Sequence, residues 1–248
     1  MKIPVLYYHE VVPTGQGYTY QKIEIDEFEQ QLQYLRENGY ETVSFSDIES
    51  GNINTQKPVI ITFDDGFRTV YRNAFPLLKK YDMKATLFLS PKYIDECNDY
   101  YMSWDMIREM VEVGVAEIAS HTYSHIDVRS VDKRTLLMEL EQTDNSILRE
   151  TGIVSSVICF LYGVFDLKTL RILDEYGKYR YYVASFFGRT NFTRNNKLIQ
   201  RLGIKNGDHI SMFERKLQGK ESYRGIVHLL RIIKSSFMHH YETYRIDF

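Results

Sequence analysis

Short apolar runs and amphipathic segments alternate along most of the chain. Runs such as Pro58–Phe63 and Ala85–Leu89 are apolar and rich in β-branched or aromatic residues, which is typical of buried strands. The segments between them, for example 132–150, carry apolar residues at the 3.6-residue spacing of a helix. No linker rich in Gly, Ser or Pro and no internal repeat interrupts this order. The pattern predicts one α/β domain around a parallel sheet.

The number of predicted strands favours a closed barrel over an open sheet. The eight predicted strands are 5–8, 42–45, 58–63, 85–89, 115–119, 157–160, 181–185 and 198–204. Helical patterns at 208–217 and 222–241 complete the chain, and we expect a single domain over 1–248 with its core at about 3–204 and a helical segment at about 205–248. In a (β/α) barrel, active sites lie at the carboxyl ends of the strands.

Local signals mark where the helices begin and bend. Asp26, followed three residues later by Glu29, has the spacing of a capping box and predicts a helix start. Ser46 is the predicted cap of a short helix that ends at Gly51. Pro76 falls inside a helical pattern, so we expect a kink or a restart there.

Polar residues follow directly after several predicted strands. They are His9, the Asp64-Asp65-Gly66 turn, His121 with His125, and Tyr162. Successive side chains leaving a strand point to different sides, so one aspartate can hold a metal while the other stays free as a base. Asp-Asp-Gly is also ordinary turn chemistry, and His9 can equally be a core histidine bonded to backbone.

His121 and His125 have i, i+4 spacing, which would place both imidazoles on one side of a helical turn. Two histidines and one carboxylate form a three-ligand set for Zn²⁺. Such a pair is otherwise surface chemistry or a helix cap. With a metal to polarise an amide and acidify water to a pKa of roughly 7, an aspartate as base and His9 as acid, the inventory is complete for amide or ester hydrolysis.

Composition narrows the class of protein. Lys plus Arg number 31 and Asp plus Glu 33, a net charge of −2, so the balance gives no sign of nucleic-acid binding. Two cysteines, Cys97 and Cys159, are too few for a disulfide scaffold, and Cys159 reads as an inert buried thiol. No run is apolar long enough to span a bilayer, and the first residues lack a signal peptide. We therefore expect a cytoplasmic protein.

At these motifs the chain resembles the polysaccharide deacetylase family of metal-dependent carbohydrate esterases. Thr62-Phe63-Asp64-Asp65-Gly66 is similar to the first family motif, which implies Asp64 as general base and Asp65 as metal ligand. His121-Thr122-Tyr123-Ser124-His125 is similar to the second, which implies that both histidines are ligands. Pro4-Val5-Leu6-Tyr7-Tyr8-His9 resembles the circularly permuted branch typified by poly-N-acetylglucosamine deacetylases, which implies His9 as the catalytic acid. Trp104-Asp105 and Lys84-Ala85-Thr86-Leu87-Phe88 fit the same branch.

The resemblance implies a distorted (β/α) barrel and has one departure. The third motif usually has Pro before a Tyr-Gly pair, and here Leu161 stands in its place. The resemblance implies that the Tyr162 backbone N–H helps to form the oxyanion hole. The arginine that contacts the base in many members has no counterpart just before Tyr162. Arg201 is a possible substitute, the alternative being a salt-bridged barrel arginine.

The sequence thus predicts a metal-dependent deacetylase of N-acetylated sugars holding Zn²⁺, or else Co²⁺, Ni²⁺ or Mn²⁺. The alternatives are a non-catalytic carbohydrate-binding protein with the same fold, or a metal-dependent hydrolase of another amide or ester. The polymer, lipid-linked or nucleotide-linked nature of the sugar stays open. The basic amphipathic pattern at 222–241 is either packed on the barrel or a surface helix touching a membrane.

Overall fold

Seven parallel strands form a closed ring at the centre of the protein. The computed structural model describes residues 2–17, 19, 21–188, 190–193 and 195–220. The strands of the ring are β1 (Val5–Tyr8), β2 (Pro58–Phe63), β3 (Ala85–Leu89), β4 (Ala116–Ser120), β5 (Val157–Cys159), β6 (Tyr181–Phe187) and β7 (Leu198–Gly203). The predicted barrel is therefore confirmed.

The ring closes at β1 and is uneven around its circumference. Leu6 pairs with Ile61 of β2 on one side and with Leu202 of β7 on the other. Five residue pairs join β3 to β4, whereas β4 and β5 share the single pair Ser120 and Ile158. Strand pairing of such uneven length is the distortion that the sequence led us to expect.

The strands are mainly apolar because both of their faces are covered. Within β2, Val59 and Ile61 pack in the cluster beneath the helices, whereas Ile60 packs in a second cluster with Val5 and Ile199. Parallel strands covered on both faces read as continuous apolar runs. This is why the strands were recognisable from sequence.

Eight helices surround the ring in the described part of the chain. They are α1 (Ile25–Glu37), α2 (Phe45–Ser50), α3 (Phe75–Tyr81), α4 (Pro91–Asp95), α5 (Trp104–Glu112), α6 (Lys133–Thr151), α7 (Leu167–Tyr176) and α8 (Ile210–Leu217). A π-helical turn at Val70–Ala74 leads into α3. Pro76 lacks an N–H for the usual i to i−4 bond, so the predicted restart is confirmed.

Short strands and turns lie outside the ring. Lys2–Ile3 pairs antiparallel with Thr190–Asn191, and Glu10–Val12 pairs parallel with Lys22–Glu24. A 3₁₀ turn spans Leu161–Gly163.

The predicted strand at 42–45 was wrong in its bounds. Glu41–Thr42 forms only a two-residue strand beside the start of β2. Ser44 then caps α2, because its Oγ accepts a hydrogen bond from the Asp47 N–H at 3.0 Å while the Asp47 carboxylate accepts from the Ser44 N–H at 2.8 Å. This reciprocal capping box places the cap two residues before the predicted one, Ser46.

The predicted cap of α1 was also wrong. The helix begins at Ile25 after Glu24, whose side chain makes no capping hydrogen bond. Asp26 lies inside the first turn and accepts a hydrogen bond from the Thr14 hydroxyl at 2.7 Å. A carboxylate in the first helical turn still stabilises the helix through its dipole, which is why the pattern resembled a cap.

The last described helix belongs to the same packed unit. Phe213 and Leu217 of α8 are buried in the cluster that also holds Phe28 and Leu202. The boundary predicted at about 205 stays a prediction. The predicted helix at 222–241 and its membrane contact lie outside the described residues. Among the described helices, none has the length and apolar character needed to cross a membrane.

Candidate metal centre and active site

An open cleft lies where the barrel strands end at their carboxyl termini. Its empty volume, including the part open to solvent, is about 430 Å³. It is lined by Tyr7, His9, Gln21, Asp64, Asp65, His121, His125, Leu161, Tyr162 and Ser185. All six candidate residues from the sequence are thus brought together in one cleft, and their individual roles stay predictions.

Asp65, His121 and His125 form a compact group of metal-ligating atoms. The Nε2 atoms of His121 and His125 lie 3.3 Å and 2.9 Å from Oδ1 of Asp65. One ligand atom from each residue falls within 4.8 Å of the others. Burial alone would raise the pKa of Asp65, but the two histidines hold it well below its usual range. The carboxylate is therefore ionised, as a metal ligand must be.

Two features show that this group fits a divalent metal. Nε2 of His125 is buried and lies 2.9 Å from Asp65 Oδ1, yet no hydrogen bond to a described residue satisfies it, which is a costly state unless a ligand uses the nitrogen. Nδ1 of His121 lies 2.8 Å from the Cys159 carbonyl oxygen, so it carries the proton and donates it there. That bond leaves Nε2 directed at Asp65, the arrangement found for metal-binding histidines.

The histidine pair does not lie on a helical turn, contrary to the sequence-based expectation. Residues 121–125 form an irregular loop after β4, in which Thr122 and His125 have positive φ angles of 63° and 58°. A β-branched residue in this region is a genuine outlier. Two left-handed residues bend the chain back, and this bend brings the two imidazoles together.

Side chains from two directions stabilise this strained loop. Oγ1 of Thr122 accepts a hydrogen bond from the Ile126 N–H at 3.1 Å. Glu139 on α6 accepts two more, from the Ser124 N–H at 2.8 Å and from the Ser124 hydroxyl at 2.6 Å. The sequence analysis missed Glu139, which looks like an ordinary helix-surface residue and becomes visible only when α6 is placed against the loop.

Asp64 is held by a two-pronged ion pair with Arg201. Nη1 and Nη2 of Arg201 donate to Oδ1 and Oδ2 of Asp64 at 2.6 Å and 2.8 Å. Both side chains are buried, with 0% and 5% of their surfaces exposed. Burial alone would raise the pKa of Asp64, but Arg201 outweighs it and lowers that pKa. The contact considered for Arg201 on sequence grounds is present.

The guanidinium of Arg201 is itself fixed on several sides. It donates to Thr62 Oγ1 at 3.2 Å and to Ser185 Oγ at 3.0 Å, and Nη2 lies 3.1 Å from Cys159 Sγ. The ring of Tyr7 lies against its face, 4.5 Å from the guanidinium carbon. Cys159 is buried as expected, and it also contacts the partner of Asp64.

His9 follows β1 and borders the same cleft. The Tyr7 ring meets it edge-on at 5.8 Å, and no hydrogen bond joins its imidazole to any residue the structure describes. Burial lowers the pKa of His9, while Asp64 and Asp65 act in the opposite direction. Its nitrogens are therefore available to a bound ligand.

Backbone contacts hold the turn at Tyr162, which Leu161 precedes. Tyr162 has a positive φ of 54° and an exposed side chain. Gly163 packs directly on β6, since a Cβ at this position would lie 2.1 Å from the Ser185 backbone nitrogen. The Gly163 N–H donates to the Phe160 carbonyl at 2.9 Å and the Val164 N–H donates to the Leu161 carbonyl at 3.1 Å. Backbone hydrogen bonds and this close contact fix the turn.

Comparison with known proteins gives a consistent result. The profile of the family described as polysaccharide deacetylase matches residues 51–181. A Bacillus subtilis protein, YxkH, whose name places it among polysaccharide deacetylases, is 30% identical over 184 residues, covering 71% of this chain and 62% of its own. The poly-β-1,6-N-acetyl-D-glucosamine N-deacetylase of Escherichia coli is 27% identical over 148 residues, covering 52% of this chain and 22% of its own.

A solved structure supports the same assignment. The crystal structure of a polysaccharide deacetylase from Bacillus cereus superposes with a TM-score of 0.78 at 27% identity, covering 88% of this chain and 69% of that one. This chain spans 62% and 22% of the two curated relatives. Because the family profile covers more than half of the sequence, the chain belongs to the polysaccharide deacetylase family.

Proposed function

We propose that this protein is a metal-dependent N-deacetylase that hydrolyses the acetamide groups of an N-acetylated polysaccharide or glycan intermediate to amine and acetate. One observation carries the proposal. A buried carboxylate held by an arginine, Asp64, lies in the same cleft as the Asp65, His121 and His125 ligand set. Membership of the polysaccharide deacetylase family supports deacetylation as the chemistry.

The metal would be held by Asp65, His121 and His125. One carboxylate and two imidazoles suit Zn²⁺, and Co²⁺, Ni²⁺ or Mn²⁺ are the alternatives. When bound, such an ion supplies Lewis acidity that polarises an acyl carbonyl and makes water more acidic.

Asp64 takes the part of the general base. Its lowered pKa keeps the carboxylate ionised across the neutral range, so it can accept a proton from the attacking water. The fork of Arg201 uses one lone pair on each carboxylate oxygen, and a carboxylate oxygen has a second one. The arginine thus orients the base without occupying it.

The Tyr162 backbone N–H takes the part of an oxyanion donor. Attack on the amide carbonyl produces a negatively charged oxygen, and fixed backbone donors stabilise such a charge. The left-handed turn at Tyr162 and the close packing of Gly163 on β6 pre-set this peptide group at the wall of the cleft.

His9 takes the part of the general acid. The amine leaves only when its nitrogen gains a proton. The imidazole of His9 borders the cleft beside Asp64 and Asp65. Burial outweighs the two negative charges and lowers the pKa of His9, so a proton that it carries is released readily. Protonated His9 can therefore transfer a proton to the leaving nitrogen.

The names of two relatives support an N-acetylated glycan as the substrate. The Bacillus subtilis relative is named for polysaccharide deacetylation, and that of Escherichia coli for poly-β-1,6-N-acetyl-D-glucosamine. The cleft is open to solvent, so a sugar within a longer chain has room to enter.

The test is acetate release from short N-acetylglucosamine oligomers. Metal-stripped protein, protein reloaded with Zn²⁺ or Co²⁺, and reloaded Asp64→Asn are compared. Release that depends on metal and on Asp64 supports the proposal. Oligomer binding without release would favour the non-catalytic carbohydrate-binding alternative, and neither binding nor release would favour a different amide or ester substrate.

A further inference from the structure

Ser185 lies between Asp64, the proposed base, and the turn at Leu161–Gly163, and the proposed mechanism gives it no role. It belongs to β6, is partly buried, and lines the cleft. Its Oγ accepts a hydrogen bond from Nη2 of Arg201 at 3.0 Å. The same Nη2 donates to Oδ2 of Asp64 at 2.8 Å, so the hydroxyl of Ser185 and the base carboxylate share one donor.

The hydrogen-bond inventory leaves the hydroxyl hydrogen of Ser185 unused. A guanidinium has five N–H donors and no acceptor, so in this contact Ser185 can only accept. The hydroxyl hydrogen must therefore point to another acceptor. No residue that the structure describes accepts it, and Ser185 lines the cleft.

The position of Ser185 matches the place where the reacting part of a sugar must lie. On one side, Arg201 ties it to Asp64. On the other side, its backbone nitrogen and Cβ pack against Gly163. A Cβ added to Gly163 would lie 2.1 Å from that nitrogen and 2.5 Å from that Cβ. A sugar whose amide is attacked by water beside Asp64, and whose oxyanion is stabilised at Tyr162, would therefore lie next to Ser185.

We propose that Ser185 is a substrate-binding residue that donates its hydroxyl hydrogen to an oxygen of the N-acetylated sugar. The choice of ligand rests on the proposed deacetylase function, whereas the unused donor rests on the geometry. Removing one hydrogen bond of this kind weakens binding by about three- to tenfold. Because Arg201 stays paired with Asp64 without the hydroxyl, the effect should fall on KM and leave kcat nearly unchanged.

The experiment compares Ser185→Ala and Ser185→Cys with the wild type in zinc-loaded protein. Cysteine keeps the side-chain volume with a weak donor, so it separates hydrogen bonding from packing. Ser50→Ala, at the end of α2 and bonded only to its own helix, is the matched control. KM and kcat are measured on N-acetylglucosamine oligomers across pH, and if no acetate forms, the dissociation constant of the same oligomers is measured by calorimetry.

The expected result is a KM or dissociation constant raised about three- to tenfold in both Ser185 variants, with kcat, its pH profile and the melting temperature unchanged. An unchanged KM in active protein would overturn the inference and leave the deacetylase function standing. A fall in kcat, with the acid side of its pH profile shifted, would also overturn the inference and show that Ser185 orients Arg201. A raised KM in Ser185→Ala but not in Ser185→Cys would overturn it as well and assign Ser185 to packing. Ser185-dependent binding without acetate release would overturn the deacetylase function and keep the inference, and absence of both would overturn both.

Discussion

Arg201 holds Asp64 in a two-pronged ion pair at 2.6 Å and 2.8 Å, although 137 positions separate the two residues in the sequence. Both are buried, and the guanidinium is fixed by Thr62, Ser185 and the ring of Tyr7. An arginine fork fixes the orientation of a carboxylate as well as its charge. Asp64, the base of the proposed reaction, follows β2, whereas the arginine that orients it lies on β7. These two strands flank β1 on opposite sides.

Replacing Arg201 with Met should cost stability and activity together. The change leaves a buried carboxylate without its partner, and removing one partner of a buried pair costs about 3–5 kcal/mol. We expect the free energy of unfolding in urea to fall by that amount and acetate release to fall as well. The double variant Arg201→Met with Asp64→Asn should regain part of the stability and none of the activity. A single variant as stable as the wild type would contradict this account.

Metal binding should depend on His125 and not on a histidine outside the proposed ligand set. His125→Ala removes a ligand whose buried Nε2 makes no hydrogen bond to a described residue, so zinc affinity measured by chelator competition should fall by at least about tenfold. His209→Ala, at an exposed position before α8, should bind zinc like the wild type. Because a ligand that binds the folded state adds roughly 2.7 kcal/mol of stability at 100 times its Kd, zinc should raise the melting temperature of the control but not of His125→Ala.

Gly163→Ala should distort the turn at Leu161–Gly163, which carries the proposed oxyanion donor. The new Cβ would lie 2.1 Å from the Ser185 nitrogen, at a φ of +66°. Gly152→Ala is a matched control, because Gly152 has a φ of +71° and open space around it. We expect Gly152→Ala to lose about 1 kcal/mol for the left-handed backbone. Gly163→Ala should lose more stability because its Cβ overlaps the backbone of β6, and it alone should lose roughly 100-fold in kcat by misplacing the Tyr162 peptide. Equal activities would show that the turn is not part of the site.

The ionised carboxylate of Asp47 should contribute to the free energy of unfolding over a defined pH range. Burial raises its pKa, but Lys84 and the Ser44 N–H outweigh burial and lower it. Its contribution is therefore complete above the unfolded-state pKa of about 3.9 and is lost as pH falls through the lower folded-state pKa. Asp47→Asn should be less stable than the wild type by about 1 kcal/mol at pH 7, and the gap should shrink toward pH 3. A gap independent of pH would remove the charged carboxylate from the explanation.

The sequence predicted the ring and its site because both rest on local patterns. Buried parallel strands are mainly apolar, and Asp64, Asp65 and His121 follow such strands directly. Since strand ends meet at one edge of a barrel, their proximity follows from the sequence pattern.

Other features depend on contacts between distant residues and had no such pattern. The 121–125 loop has helical spacing, but the left-handed conformations of Thr122 and His125 and the bonds of Ser124 to Glu139 set its shape. Arg201 could be suggested but not assigned, because its contact with Asp64 exists only when β7 closes the ring. Two helix starts were misplaced. Ser44 and Ser46 both offer a cap for α2, and Asp26 lies in the first turn of α1, where a carboxylate also stabilises the helix.

The most direct test of the central claim is acetate release from N-acetylglucosamine oligomers by the zinc-loaded wild type and by zinc-loaded Asp64→Asn. Asp64→Asn keeps the shape of the side chain and the Asp65, His121 and His125 group. We predict that the variant binds one equivalent of zinc, and that its rate falls by about 10²- to 10⁴-fold, the usual contribution of a general base. Full activity in Asp64→Asn with zinc bound would contradict the assignment of Asp64 as the base and with it the proposed mechanism.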